Sequence, residues 1–212
     1  MQWFAYLVVA LAAYLLGSIP TGYLVARAKG IDIRTVGSGN IGATNAFRVL
    51  GKAAGTAVLI ADGCKGYTAC AWLCNALLRV LNVPSAEVET HQIVAGIAAV
   101  LGHNYTCWLW FKGGKGIATT AGVYFALAPL SVGIAIGTWI VFFLTTRFVS
   151  VASLASAVAL PAAVWLTKDS LLLGVVTTAL GLLAIFKHHS NIQRLLAGTE
   201  NRVRFGKKGT AP

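Results

Sequence analysis

Charge is what this sequence has least of. Of 212 residues, 11% are Asp, Glu, Lys or Arg, while 57% are hydrophobic. Soluble domains carry roughly a quarter charged residues. A soluble domain of this size also keeps enough surface to require more charge. The scarcity therefore excludes an ordinary soluble fold and indicates a membrane protein. Acid is scarcer still: six Asp and Glu stand against 17 Lys and Arg, a formal charge of +11. Nucleic acid is one partner for such a balance. The basic residues, however, cluster at the ends of apolar runs, which suits a bilayer surface or an anionic substrate and no nucleic acid.

Other absences narrow the reading further. The four cysteines, Cys64, Cys70, Cys74 and Cys107, form no C-x-x-C pair, and three share one apolar run. Metal-site spacing is missing, so buried free thiols are expected, with no metal and no cofactor. The first apolar run is too long for the core of a cleavable signal and has no basic residues before it, so none is expected. No internal repeat is visible, which removes the usual sequence pointer to an inverted-repeat transporter.

What is present is a series of apolar runs. A spanning helix needs about 20 mostly apolar residues. Seven are expected, near 3–26, 53–81, 90–106, 115–128, 130–147, 150–167 and 170–188. Pro129 separates the fourth from the fifth, and Thr145-Thr146-Arg147 the fifth from the sixth. The fourth is short, which fits partial embedding. The fold class is thus an all-α polytopic membrane protein, a single integral-membrane domain over 1–212.

Positive residues concentrate in cytoplasmic loops. With the N-terminus outside, the inner side receives Arg27, Lys29, Arg34, Arg48, Lys52, Lys112, Lys115, Arg147, Lys187, Arg194, Arg202, Arg204, Lys207 and Lys208. The outer side receives only Arg79 and Lys168, and Lys65 lies within a span. A periplasmic N-terminus and a cytoplasmic C-terminus follow.

Three polar islands then share the cytoplasmic face. The first is GSGNIGATNAFRVLGK, Gly37 to Lys52. It contains G-x-G-x-x-G at Gly37, Gly39 and Gly42, but no strand precedes it and Asp62 lies in an apolar run, so a dinucleotide fold is rejected. What remains is a small-residue loop with Ser38, Asn40, Thr44, Asn45 and Arg48, suited to close approach by an anion. If Thr44 to Arg48 is helical, those two residues share a face, and Arg48 can grip phosphate with both prongs. Arg48 alone serves equally well as an orienting cation. A mere turn would be shorter than 16 residues.

The second island runs from His103 to Thr120 and ends in GGKGIATT. No Ser or Thr follows Lys115 and no strand leads in, so this is no nucleotide loop. A generic anion cradle survives, built from glycine N–H groups, Lys115 and the start of a helix; a connector with two orienting lysines is the plainer alternative. The third island is KHHSNIQRLLAGTE, Lys187 to Glu200. His188 and Asn191 lie one turn apart if the helix continues, and Gly198 is expected to end it. Asp62 and Lys65, three apart within the second run, are expected to pair internally, supporting the site rather than touching substrate.

These stretches together resemble the bacterial acyl-phosphate:glycerol-3-phosphate acyltransferases (PlsY), over nearly the whole chain and in the same order. The resemblance implies a seven-span inner-membrane enzyme with an outside N-terminus. It implies transfer of a fatty acyl group from acyl phosphate to the 1-hydroxyl of sn-glycerol 3-phosphate, giving lysophosphatidic acid and phosphate. It also implies membrane lipid as surroundings and a functional link to the enzyme that makes acyl phosphate. Carried over by position, the catalytic residues are Ser38, Arg48, Lys115, His188 and Asn191. Substrate binding falls to Gly39, Asn40, Thr44, Asn45, Gly113, Gly114, Gly116 and Thr119, the second motif being linked to glycerol phosphate. Glu200, with Asp62 and Lys65, is supporting. Lys187 stands where relatives more often have arginine, which keeps charge but loses fork geometry.

A His followed five residues later by Asp, the dyad of soluble-type glycerolipid acyltransferases, is absent. Gly96, Trp108, Gln193 and Arg194 stand five after His91, His103, His188 and His189. Ser38 and the cysteines lack an evident activating partner. Direct attack is therefore expected, with substrate phosphate taking the proton. A transporter or channel for a phosphate-type anion is the competing class, and a membrane anchor for a partner is a third.

Overall fold

A computed structural model describes residues 2–203, and every regular element among them is helical. Arg204, Lys207 and Lys208, counted above as inner-side cations, lie outside the described residues. Pro20 splits the first apolar run: its missing N–H ends α1 (Gln2–Ser18) and α2 (Thr21–Arg27) restarts at once. A loop leads to α3 (Ala43–Leu50) and α4 (Lys52–Thr68). A π-helical turn, Ala69–Cys74, continues α4 into α5 (Asn75–Val80). Then follow α6 (Val88–Asn104), α7 (Ile117–Leu127), α8 (Pro129–Thr146), α9 (Val149–Thr167) and α10 (Leu171–Lys187). The short α11 (His189–Leu196) follows a 54° bend.

Each expected apolar run coincides with helix. By length and apolarity alone, three helices among the described residues can cross a membrane: Trp3–Arg27, Pro129–Thr146 and Val149–Thr167. The bent pair α10–α11 makes a fourth if taken as one span. The others fall short because α4 and α6 have 17 residues each and α7 has only 11. The brevity of α7 agrees with the short fourth run.

Helix pairing explains how the polar islands meet. α1 packs on α6, α4 on α7, and α9 on both α8 and α10. At the α1–α6 crossing a Cβ on Gly17 would overlap the Ala99 carbonyl, and one on Gly102 the Tyr14 carbonyl. At the α4–α7 crossing the same holds for Gly66 against Thr119 and for Gly122 against Gly63. Without a hydrophobic drive between helices in lipid, such close backbone approach holds a bundle together. The main core includes Val9, Cys70, Ile93, Val123, Tyr124 and Leu160. A second core of Ala26, Ile33, Ile41, Ala46, Val58 and Leu109 lies beneath the 28–42 loop. Cys70 and Cys74 are buried free thiols as expected, whereas Cys64 is exposed and Cys107 half-buried. Cys64 looks outward because it shares a face of α4 with exposed Ile60, one turn away.

Candidate active site

The first island is a loop held open from within. Gly37 and Gly39 take φ of 63° and 69°, conformations that a side chain would strain. Asn45, buried on α3, accepts the Ser38 N–H at 2.9 Å and donates to the Ile33 and Val36 carbonyls at 3.2 and 3.1 Å. Its amide is committed to shaping the loop around Ser38. Asn40 likewise accepts the Gly42 N–H at 2.9 Å. Ser38, Gly39, Thr44 and Arg48 face outward, and α3 puts Thr44 and Arg48 one turn apart as the sequence suggested.

The second island departs from its expected role in one respect. The Gly114 N–H donates to the His103 carbonyl at 3.0 Å and the Gly113 N–H to the Asn104 carbonyl at 3.2 Å. These two groups cap the end of α6 and are not anion donors. The glycines are needed for proximity instead. A Cβ on Gly114 would land in the His103 imidazole, and one on Gly113 on the His103 carbonyl. Gly116, at φ 82°, then turns the chain into α7 against the Asn104 side chain. The opening N–H groups of α7 have no carbonyl partner within the helix and remain as donors. Thr119 is buried, its hydroxyl without a hydrogen-bond partner.

The third island meets the second directly. Lys115 donates to the Asn191 side-chain oxygen. The Asn191 amide donates to Glu200 Oε1 at 2.7 Å, and Arg194 Nε donates to Glu200 Oε2 at 2.7 Å. Glu200 thereby orients Asn191, and Asn191 steers the ammonium. His188 occupies the bend between α10 and α11, so the helix does not continue straight through it. The Asn191 N–H still closes a turn on the His188 carbonyl at 2.8 Å. Nδ1 of His188 lies 2.7 Å from the Ala184 carbonyl and so bears the proton, leaving Nε2 as the acceptor. Gly198, at φ 69°, ends α11 with the Gly198 and Thr199 N–H groups on the Leu195 and Arg194 carbonyls, as expected.

The electrostatics favour an anion. The charges of Arg194, Arg48 and Lys187 all act on Lys115, and the Glu200 carboxylate opposes them. Burial brings the Lys115 ammonium down to about 8, and the positive charges of Arg194, Arg48 and Lys187 add to that while Glu200 opposes it. Burial, then the nearby Lys115 charge, brings His188 down to about 4, so its imidazole is neutral near pH 7. Burial pushes Glu200 up, but the donors Asn191 and Arg194 outweigh it and hold the carboxyl below its ordinary value.

Beneath the cradle lies the expected internal pair. Lys65 Nζ and Asp62 Oδ1 are 2.9 Å apart and both residues are buried. Thr21 donates to the same oxygen at 3.1 Å, Lys65 donates to the Ile19 carbonyl at 3.0 Å, and His103 Nδ1 stands 3.6 Å away. Four parts of sequence, the α1–α2 break, α4, α6 and the glycine loop, are thus tied together. Thr21, His103, Asn104 and Arg194 escaped the site reading from sequence. Lys187 too was read only as a basic position, yet it donates to the Asn104 carbonyl at 3.1 Å. Their signal was faint: polar residues flanking spans are common, and nothing local says which will turn inward.

Comparison with known proteins gives a consistent picture. Residues 7–198 match the family described as glycerol-3-phosphate acyltransferase. The glycerol-3-phosphate acyltransferase of Geotalea daltonii is 46% identical over 195 residues, covering 92% of this chain and 96% of that protein. That of Geobacter sulfurreducens is 44% identical over 199 residues, covering 93% and 97%. Among solved structures, the crystal structure of PlsY, an integral membrane glycerol 3-phosphate acyltransferase, in its glycerol 3-phosphate form superposes with a TM-score of 0.84. Identity there is 37%, over 94% of this chain and 96% of that one. Its lysophosphatidic acid form gives a TM-score of 0.81 at 36% identity, over 93% and 94%.

Proposed function

The chain belongs to the glycerol-3-phosphate acyltransferase family, and from that premise we propose how it works. It is an integral membrane acyltransferase that acts on glycerol 3-phosphate. We propose acyl phosphate as the donor and the 1-hydroxyl as the acceptor, with lysophosphatidic acid and phosphate as products. The observation that carries the site assignment is the Lys115–Asn191 contact, which joins two motifs 76 residues apart into one charged cradle.

In the proposed reaction Lys115, Arg48 and the first N–H groups of α7 hold phosphate oxygens and neutralise their charge. The acceptor hydroxyl lies towards His188 Nε2, which receives its hydrogen bond and orients it. A group brought down to about 4 is a weak base at neutral pH, so His188 positions the hydroxyl instead of deprotonating it. The hydroxyl oxygen bonds to the acyl carbon and the carbonyl oxygen takes up negative charge, which Ser38 and the nearby cations stabilise. The bond from acyl carbon to phosphate oxygen then breaks, and phosphate leaves with the hydroxyl proton. Proximity supplies much of the acceleration.

Gly39, Gly113, Gly114 and Gly116 serve by admitting close packing. Asn40 and Asn45 hold the Ser38 loop, Thr44 and Thr119 flank the phosphate, and Glu200 orients Asn191. Asp62 and Lys65 anchor the cradle from below. We further propose seven crossings with the N-terminus outside, in one domain spanning the chain, and a functional link to the enzyme that makes the donor. The seven helical runs and the cation asymmetry support the topology. An anion transporter, the other class open from sequence, finds no support in the family membership. The test is phosphate release by purified protein in detergent micelles: it is expected only when acyl phosphate and glycerol 3-phosphate are both present. Release independent of glycerol 3-phosphate would overturn acyl transfer to that acceptor.

A further inference from the structure

The segment Cys107–Lys112, directly before the glycine cradle, takes no part in the reaction above. It holds three large rings outward: Trp108 is 62% exposed, Trp110 85% and Phe111 62%. The backbone is firmly held. Thr106 donates its hydroxyl to the Ser18 carbonyl at 2.6 Å and accepts the Phe111 N–H at 2.9 Å, while Leu109 is buried in the smaller core. Trp110 and Phe111 both take left-handed φ, 54° and 59°, a region that bulky residues seldom occupy. Rigid anchoring and strained backbone together aim the rings away from the protein.

The length of α7 says what surrounds them. Its far end, Ala126 and Leu127, lines a cavity of about 320 Å³ shared with Glu89, Lys168 and Asp169. Charged groups of both signs belong at water, so that end lies at the opposite membrane surface. α7 has 11 residues and spans only about 17 Å, against a hydrocarbon core about 30 Å thick. The cradle at its near end is therefore held no higher than the boundary between headgroups and acyl chains.

We propose that Trp108, Trp110 and Phe111 form a lipid-immersed platform, seated at the headgroup–acyl boundary of the leaflet that carries the active site. Amphipathic rings favour this depth, and exposed Lys112 beside them suits anionic headgroups. The platform fixes the height of Lys115 in the membrane. The inference rests on the membrane placement of the proposed enzyme but not on its reaction.

The experiment uses the full chain labelled with 5-fluorotryptophan, in nanodiscs of phosphatidylcholine and phosphatidylglycerol. Trp110→Phe and, independently, Trp108→Phe assign the two fluorine resonances by loss of a peak. A nitroxide carried on the lipid near its headgroup is expected to broaden both resonances more than a water-soluble gadolinium chelate does. Stronger broadening by the chelate overturns the platform and makes the rings a surface for a soluble partner. The readout needs no turnover, so an active enzyme with water-exposed rings would defeat this inference alone.

Discussion

The Lys115 ammonium offers a quantitative test, because its shift can be carried through to a rate. Burial, with the charges of Arg194, Arg48 and Lys187 against that of Glu200, holds it at about 8. A cation lowered in this way is charged below about pH 7, half charged at about 8 and mostly neutral by about 9. The phosphate of glycerol 3-phosphate has its second ionisation near ~6 and is dianionic throughout that range. If charged Lys115 is needed to capture it, kcat/KM for glycerol 3-phosphate falls about tenfold between about pH 7 and about pH 9. A lysine at its ordinary value of about 10.4 would give no measurable fall there. Bound phosphate restores the proton, so kcat changes less than kcat/KM. The assay is initial-rate phosphate release in micelles at saturating acyl phosphate, corrected for spontaneous donor hydrolysis. Lys115→Arg, charged at every pH used, is expected to be slower but to lack the alkaline limb. A flat profile in the parent enzyme, or the same limb in Lys115→Arg, would refute the assignment of Lys115.

Three further outcomes follow from the geometry. Gly114→Ala drives a methyl into the His103 ring, so activity should drop about 100-fold through a misplaced cradle, with a stability loss of roughly 1–3 kcal/mol by thermal unfolding in detergent. Asp62→Asn strands the buried Lys65 charge and should cost about 3–5 kcal/mol by the same measurement; adding Lys65→Met should restore much of it, and failure to do so would count against a simple ion pair. His188→Asn should reduce turnover without abolishing it. In the parent protein, imidazole nitrogen chemical shifts should show His188 still neutral at about pH 5.5, since its value is about 4.

The sequence alone determined the class of protein and marked the stretches to which we assign its chemistry. Charge scarcity and the apolar runs need no tertiary information, because lipid forces each spanning run to satisfy its own backbone hydrogen bonds as helix. The three polar islands were visible for the same reason: clusters of glycine, lysine and asparagine stand out between such apolar runs. The Asp62–Lys65 pair was legible because two charges one turn apart in an apolar helix have few other fates.

What only the tertiary structure decided is which groups are consumed and which remain. The Gly113 and Gly114 N–H groups read as anion donors, but the end of α6 takes them. Asn45 read as a ligand contact, but its amide is occupied within the loop. Arg194 read as an inner-side cation and His103 only as the start of the second island, yet one fixes Glu200 and the other lies under Gly114. A hydrogen-bond donor has the same letter whether paired or free. Its partner sits on another helix, and only the packing of α6, α7 and α10 brings the two within reach.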